Sequence, residues 1–200
     1  MIKDTLRRSF SQYFVLPVVT VMYRIGLKPN HVTFFGLAVT VVAACLISKN
    51  ELWLGGVVLL LAGVFDLLDG ALARLIGQPS RFGALFDSVV DRLSESVVLL
   101  GLLVKFAEEG SAIGIFLAYL AVVGSLMVSY LRARSEGLGI DCKIGILARP
   151  ERLILLSVGL VIGHWWEDIL LIVLALIASL TMFTSLQRLL HARRRFELED

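Results

Sequence analysis

Residues 64–95 read VFDLLDGALARLIGQPSRFGALFDSVVDRLSE, two apolar runs joined at Gly77-Gln78-Pro79-Ser80 and interrupted by four aspartates. Asp66 and Asp69 are three apart, so they share a helix face, and Gly70, Ala73 and Arg74 continue that face. Beyond the turn, Gly83, Asp87 and Asp91 recur at intervals of four. At a rise of 1.5 Å per residue, Asp66 lies about 15 Å below Ile76 and Asp91 about 14 Å below Phe82. The stretch therefore predicts a helical hairpin whose two polar stripes meet at one depth and bring all four carboxylates into one cluster. Four like charges there cannot all stay ionised unaided. Two divalent cations would balance them, and hard oxygen ligands favour Mg²⁺, with Mn²⁺ as the alternative. Ion pairing within the stripes is the competing explanation, but it has only Arg74 and Arg92 to draw on, and charges at membrane depth are costly and usually functional. Gly70, Ala73 and Gly83 could serve close helix packing alone. Their interleaving with the acids suggests bare backbone that a nucleotide or phosphate can approach, with Arg74 able to bind phosphate oxygens.

The rest of the chain places this hairpin in a bilayer. Of the 200 residues, 58% are hydrophobic, against roughly 45–50% in a soluble domain. The mean hydropathy of +0.85 agrees. Allowing about 20 apolar residues per span, the chain predicts an all-α polytopic membrane protein with six transmembrane helices, at residues 31–48, 52–75, 82–107, 111–131, 150–165 and 167–190. Residues 1–26 mix Lys3, Arg7, Arg8 and Arg24 with Phe10, Tyr13, Phe14 and Val15, which suits a juxtamembrane amphipathic helix along the surface. Nothing in it resembles a removable signal peptide. Residues 1–200 form one membrane domain without internal repeats. Cys45, in an apolar run, and Cys142, in a polar loop, differ in depth and are read as unpaired bystanders.

Charge distribution orients the chain. Of the 19 basic residues, 16 fall on one side of the predicted spans: the N-terminal segment, the 74–82 turn, the 132–152 loop and the C-terminus. By the positive-inside rule that side, with both termini and the aspartate site, is cytoplasmic. Trp165 and Trp166, beside His164 and Glu167, mark the outer interface. The basic residues point to a lipid bilayer and not to a nucleic-acid polymer.

The pattern Asp66-x2-Asp69-Gly70-x2-Ala73-Arg74-x8-Gly83-x3-Asp87-x3-Asp91 resembles the signature of the CDP-alcohol phosphatidyltransferase family at every fixed position and spacing. The resemblance implies an integral cell-membrane enzyme, generally homodimeric, that displaces CMP from a CDP-linked lipid such as CDP-diacylglycerol or CDP-archaeol by an alcohol. It further implies that Asp66, Asp69, Asp87 and Asp91 hold two metals, that Asp91 is also the general base, and that Asp69, Gly70, Ala73, Arg74 and Gly83 contact the CDP moiety. Ser80 is a further candidate contact. Lys28-Pro29-Asn30-His31-Val32-Thr33 resembles the family segment that lies near the nucleotide, although on physical grounds alone Asn30 would be a helix N-cap.

The second substrate is read from the basic loop. Tyr130-Leu131-Arg132-Ala133-Arg134 closes the fourth span, and Arg149-Pro150-Glu151-Arg152 opens the fifth. Pro150 fits the first position of a helix, which puts Arg149 and Arg152 at its N-terminus. Cations there oppose the helix dipole, so an anion is the expected companion. Arg188 can face the same pocket. The positive-inside bias would also put arginines in these loops, and Glu151 offsets part of their charge. Within the family these motifs, and Asp91-Arg92-Leu93-Ser94-Glu95, are similar to the branch that makes phosphatidylinositol phosphate or its archaeal ether-lipid equivalent. The resemblance then implies inositol phosphate held by Arg132, Arg149, Arg152 and Arg188. Glycerol 3-phosphate, the acceptor of phosphatidylglycerophosphate synthesis, is the rival. A divalent-cation transporter, the alternative class, would hold its acids near the midplane with an aqueous route to both sides. The outer half of this chain offers no matching acidic path. No role follows from the sequence for Glu95.

Overall fold

The computed structural model describes residues 15–77, 80–166 and 168–199. Among these the chain is all-helical: α1 (Leu16–Arg24), α2 (Pro29–Ser48), α3 (Leu52–Ile76), α4 (Arg81–Glu108), α5 (Ala112–Gly137), α6 (Arg149–Gly163) and α7 (Asp168–Glu199). Of the expected surface helix, residues 1–14 lie outside the described residues. So do Gln78 and Pro79 of the hairpin turn and Glu167.

Four helices, α2, α3, α5 and α7, are long and apolar enough to cross a membrane. α4 carries Asp87, Asp91 and Glu95, and α6, with 15 residues, is about 22 Å long, less than a hydrocarbon core. The helices begin and end close to the predicted limits except at two C-termini. α5 continues to Gly137 and α7 to Glu199, past the apolar runs that ended at 131 and 190. Hydropathy marks only the lipid-compatible part of a helix. The polar extensions carry i,i+4 ion pairs, Arg132 to Glu136 at 2.9 Å and Arg193 to Glu197 at 2.7 Å, which favour continued helix in water.

Local signals fix the other boundaries. Gly77 ends α3 in the left-handed conformation at φ 71°, where a side chain would be strained. Ser80 caps α4, its Oγ accepting from Gly83 N at 2.8 Å. At α2 the expectation of an Asn30 cap is corrected: Lys28, in extended conformation, is the N-cap and Pro29 takes the first turn, where its missing N–H is harmless. Likewise Ala148 caps α6, so Arg149 comes first and Pro150 second. Glu151 Oε2 accepts from Ala148 N at 2.8 Å, giving that acid a structural purpose.

Helix packing pairs α2 with α3 and α4, α3 with α6, α4 with α5, and α7 with α5 and α6, while α1 lies against α3. Close approach is permitted by small residues. A Cβ on Gly101 of α4 would come within 2.6 Å of Ala44 O on α2, and one on Gly56 of α3 within 2.8 Å of Ser157 O on α6. The main core (Ile47, Leu52, Leu99, Leu102, Leu160, Leu174, Ile177) is built from the late residues of α2, α4 and α6 and the early residues of α3, α5 and α7. The opposite helix ends gather the polar groups. Outward-facing Leu61, Leu100, Phe116, Ile172 and Phe183 are exposed, so the bundle is apolar outside as well as inside. Trp165 and Trp166 are exposed beyond α6. Cys45 and Cys142 are both free thiols.

Candidate functional site

The polar end holds two neighbouring clefts separated by the first turns of α4. The first, of about 460 Å³, is lined by Pro29, Asn30 and Thr33 of α2, Asp69, Gly70 and Ala73 of α3, and Ser80, Gly83 and Asp87. Most of the expected CDP-contacting residues are therefore assembled there. Arg74 stands at its edge, its Nη1 3.6 Å from where a Gly70 Cβ would lie. Two residues depart from the expectation. Val32 is buried in a small cluster with Val19 of α1 and Leu72, so its side chain packs under α1 and is not part of the cleft lining. His31 is exposed and is not part of the cleft lining.

Gly70 does not serve packing. A Cβ there would meet no atom closer than that arginine, so the missing side chain opens the cleft and leaves helix contacts unchanged. Gly83 has a second duty, because a Cβ would fall 2.8 Å from Ser80 Oγ and 3.3 Å from Asn30 Oδ1. Asp69, buried at 5% exposure, accepts a 2.7 Å hydrogen bond from Thr33 Oγ1. That contact ties α2 to α3 beneath the cleft.

The second cleft, about 370 Å³, is lined by Ser88, Asp91, Arg92 and Glu95 of α4, by Arg132 and Glu136 of α5, by Arg149 and Arg152 of α6, and by Arg188 of α7. All four arginines expected to bind the acceptor converge here, although they come from three helices. Each has a protein partner. Arg132 pairs with Glu136. Arg152 is 3% exposed and donates from Nε and Nη2 to Glu95 at 2.6 and 2.8 Å, and from Nη1 to Leu147 O at 3.0 Å. Arg188, at 8% exposure, donates to the carbonyls of Ile144, at 2.8 Å, and Val128. Those two partners are neutral, so its charge is left to act on the cleft.

Arg149 joins the two stripes. Its Nη1 pairs with Asp66 of α3 and lies 2.6 Å from Asp91 Oδ1 of α4. The anion expected at the start of α6 is thus supplied by the protein's own carboxylates. Asp69 and Asp87 border the first cleft, while Asp66 and Asp91 share Arg149. Each of Asp66, Asp69 and Asp87 is nevertheless within Coulombic reach of Asp91. Arg92, the other cation in the stripe, folds back on Ser88 O of its own helix.

A divalent cation fits this donor set in chemistry. The ligands are hard oxygens, and Asp91 Oδ1 is buried without a hydrogen-bond donor, since its contact with Arg149 is one of charge and not of hydrogen-bond geometry. The guanidinium holds positive charge where the two helices face each other, so it would compete with a metal for Asp66 and Asp91.

The profile of CDP-alcohol phosphatidyltransferases matches residues 27–186. An archaetidylinositol phosphate synthase of Methanothermobacter thermautotrophicus is 36% identical over 194 residues, covering 95% of this chain and 94% of that protein. A phosphatidylinositol phosphate synthase of Mycobacterium tuberculosis is 34% identical over 190 residues, covering 92% and 88%. The crystal structure of that species' phosphatidylinositol phosphate synthase with CDP-DAG bound superposes with a TM-score of 0.84 at 32% identity, covering 90% of this chain and 93% of that one. A second crystal structure, in complex with manganese and citrate, has the same TM-score at 33% identity, covering 90% and 88%.

Proposed function

The chain belongs to the CDP-alcohol phosphatidyltransferase family, and we propose that it transfers the phosphatidyl group of CDP-diacylglycerol, or the equivalent group of CDP-archaeol, to a hydroxyl of inositol phosphate and releases CMP. The observation that carries the acceptor is the arginine-lined cleft beside Asp91: four guanidiniums drawn from α5, α6 and α7 suit a phosphorylated alcohol far better than a neutral one. The names of the similar synthases support the same choice.

In this reading the lipid-linked diphosphate lies in the first cleft. Gly70 and Gly83 admit it against bare backbone, Arg74 binds its oxygens, and Pro29, Asn30, Thr33, Ala73 and Ser80 line the nucleotide side. Asp66, Asp69, Asp87 and Asp91 hold two divalent metals, Mg²⁺ or Mn²⁺, which offset the charge that develops on the departing CMP. Arg132, Arg149, Arg152 and Arg188 hold the acceptor's phosphate so that its hydroxyl faces Asp91. Asp91 takes the hydroxyl proton while the hydroxyl oxygen forms its bond to the lipid-linked phosphorus. The anhydride bond breaks, its electron pair leaves on the CMP phosphate, and a phosphodiester remains.

We further propose that α2 to α7 make six passes, that both termini and both clefts face the cytoplasm, that α1 lies along the membrane surface, and that the protein works as a homodimer. The sidedness of the basic residues supports the orientation. Purified protein in nanodiscs, given CDP-diacylglycerol and Mg²⁺, should release CMP when inositol phosphate is added. Release with glycerol 3-phosphate alone would move the assignment to phosphatidylglycerophosphate synthesis, and metal flux without any CMP would refute the enzyme reading.

A further inference from the structure

Between α4 and α6 the acids and arginines form two rungs. The upper rung is Asp91 with Arg149. One turn deeper, Glu95 meets Arg152 through both carboxylate oxygens, a fork-to-fork pair between residues 57 positions apart in sequence. The lower rung is the better built. Arg152 is 3% exposed and the Glu95 side chain 16%, so water screens the pair little. Glu95 lines the second cleft and not the first, and both of its carboxylate oxygens are committed to Arg152.

We infer that Glu95 is a positioning residue for the acceptor: it fixes the Arg152 guanidinium in the wall of the second cleft and thereby sets the affinity for the acceptor's phosphate. The donor count supports this. Glu95 takes Nε and one proton of Nη2, Leu147 O takes one proton of Nη1, and one N–H on each Nη is left uncommitted on a side chain that borders the cleft. A guanidinium locked at three of its five donors loses little freedom when a phosphate takes the other two. Without the carboxylate, Arg152 would keep its charge and lose its direction. This inference rests on the reading of the arginine cleft as the acceptor site.

The test is a double-mutant cycle on the full-length protein in nanodiscs, reading the KM for inositol phosphate and the KM for CDP-diacylglycerol separately. Glu95→Gln should raise the acceptor KM roughly tenfold, as expected for loss of one charge-assisted contact, and leave the donor KM within about twofold. Glu95→Asp, which keeps the charge, should recover part of the loss. Glu95→Gln combined with Arg152→Gln leaves no isolated buried charge, so it stays foldable even if the single variant does not. Because Glu95 acts only through Arg152, the double variant should have the acceptor KM of Arg152→Gln alone. Additive effects, or an unchanged acceptor KM in folded Glu95→Gln, would overturn the proposal. If the wild type consumes only glycerol 3-phosphate, the inositol phosphate assignment fails, and the same cycle on that substrate still decides the role of Glu95.

Discussion

Arg149 Nη1 lies 2.6 Å from Asp91 Oδ1, and the same nitrogen pairs with Asp66 on the facing helix, so one guanidinium neutralises part of both polar stripes. The residue with the strongest claim to be the base is therefore tied to a residue of the acceptor cleft. Changes at either end of that contact should separate chemistry from binding.

Asp91→Asn keeps the side-chain volume and removes the proton acceptor. Turnover should fall by at least about 10²–10⁴-fold, the usual contribution of a general base. Binding of CDP-diacylglycerol, which depends on the other cleft, should change little. Turnover within a few-fold of wild type would show that Asp91 is not the base.

Arg149→Gln leaves Asp66 and Asp91 without their cation. With more uncompensated negative charge, the metal-binding residues should take up Mn²⁺ several-fold more tightly in calorimetry without substrates. The KM for the phosphorylated acceptor should rise in the same variant. Weaker Mn²⁺ binding would mean that Arg149 supports the metal and does not compete with it. A chelator should stop turnover in both proteins, with Mg²⁺ or Mn²⁺ restoring it.

The helical hairpin, the helix limits and the two polar stripes were legible, because each follows from periodicity and spacing within a few turns of one helix, whereas the grouping of Arg132, Arg149, Arg152 and Arg188 came from the family resemblance beside the loop's charge. The pairings were not. Asp66 and Arg149 are 83 residues apart, and Glu95 and Arg152 are 57 apart, and no local pattern says which acid will meet which base. Val32 shows the same limit from another side. It sits in a polar segment next to ligand-cleft residues, yet helical geometry turns its side chain under α1. The cap at Lys28 lies two residues before the expected Asn30, and that at Ala148 one residue before the position implied by Pro150, since a proline is accepted at either of the first two helical positions and a side-chain cap is not required.

Thr33 donates to a carboxylate that is almost wholly buried, so Thr33→Val should lower stability by about 1.5–3 kcal/mol, the worth of a hydrogen bond to a charged group. Thr33→Ser, which keeps the hydroxyl, should cost much less. Thermal unfolding in one detergent compares them. Equal midpoints for wild type and Thr33→Val would mean that the 2.7 Å contact with Asp69 contributes nothing.

Gly70 and Gly83 predict opposite behaviour for the same substitution. In Gly70→Ala the new methyl meets nothing closer than Arg74 Nη1 at 3.6 Å, and alanine suits a helix interior better than glycine by about 0.5–1 kcal/mol. The variant should be at least as stable as wild type, yet its methyl projects beside Arg74 into the first cleft and should raise the KM for the CDP-linked lipid by about tenfold or more. In Gly83→Ala the methyl would lie 2.8 Å from Ser80 Oγ, so the cap of α4 must shift. That variant should lose about 1 kcal/mol of stability, as cap removal does, together with donor affinity. A stable Gly70→Ala enzyme with unchanged donor KM would show that the diphosphate does not pass over that backbone.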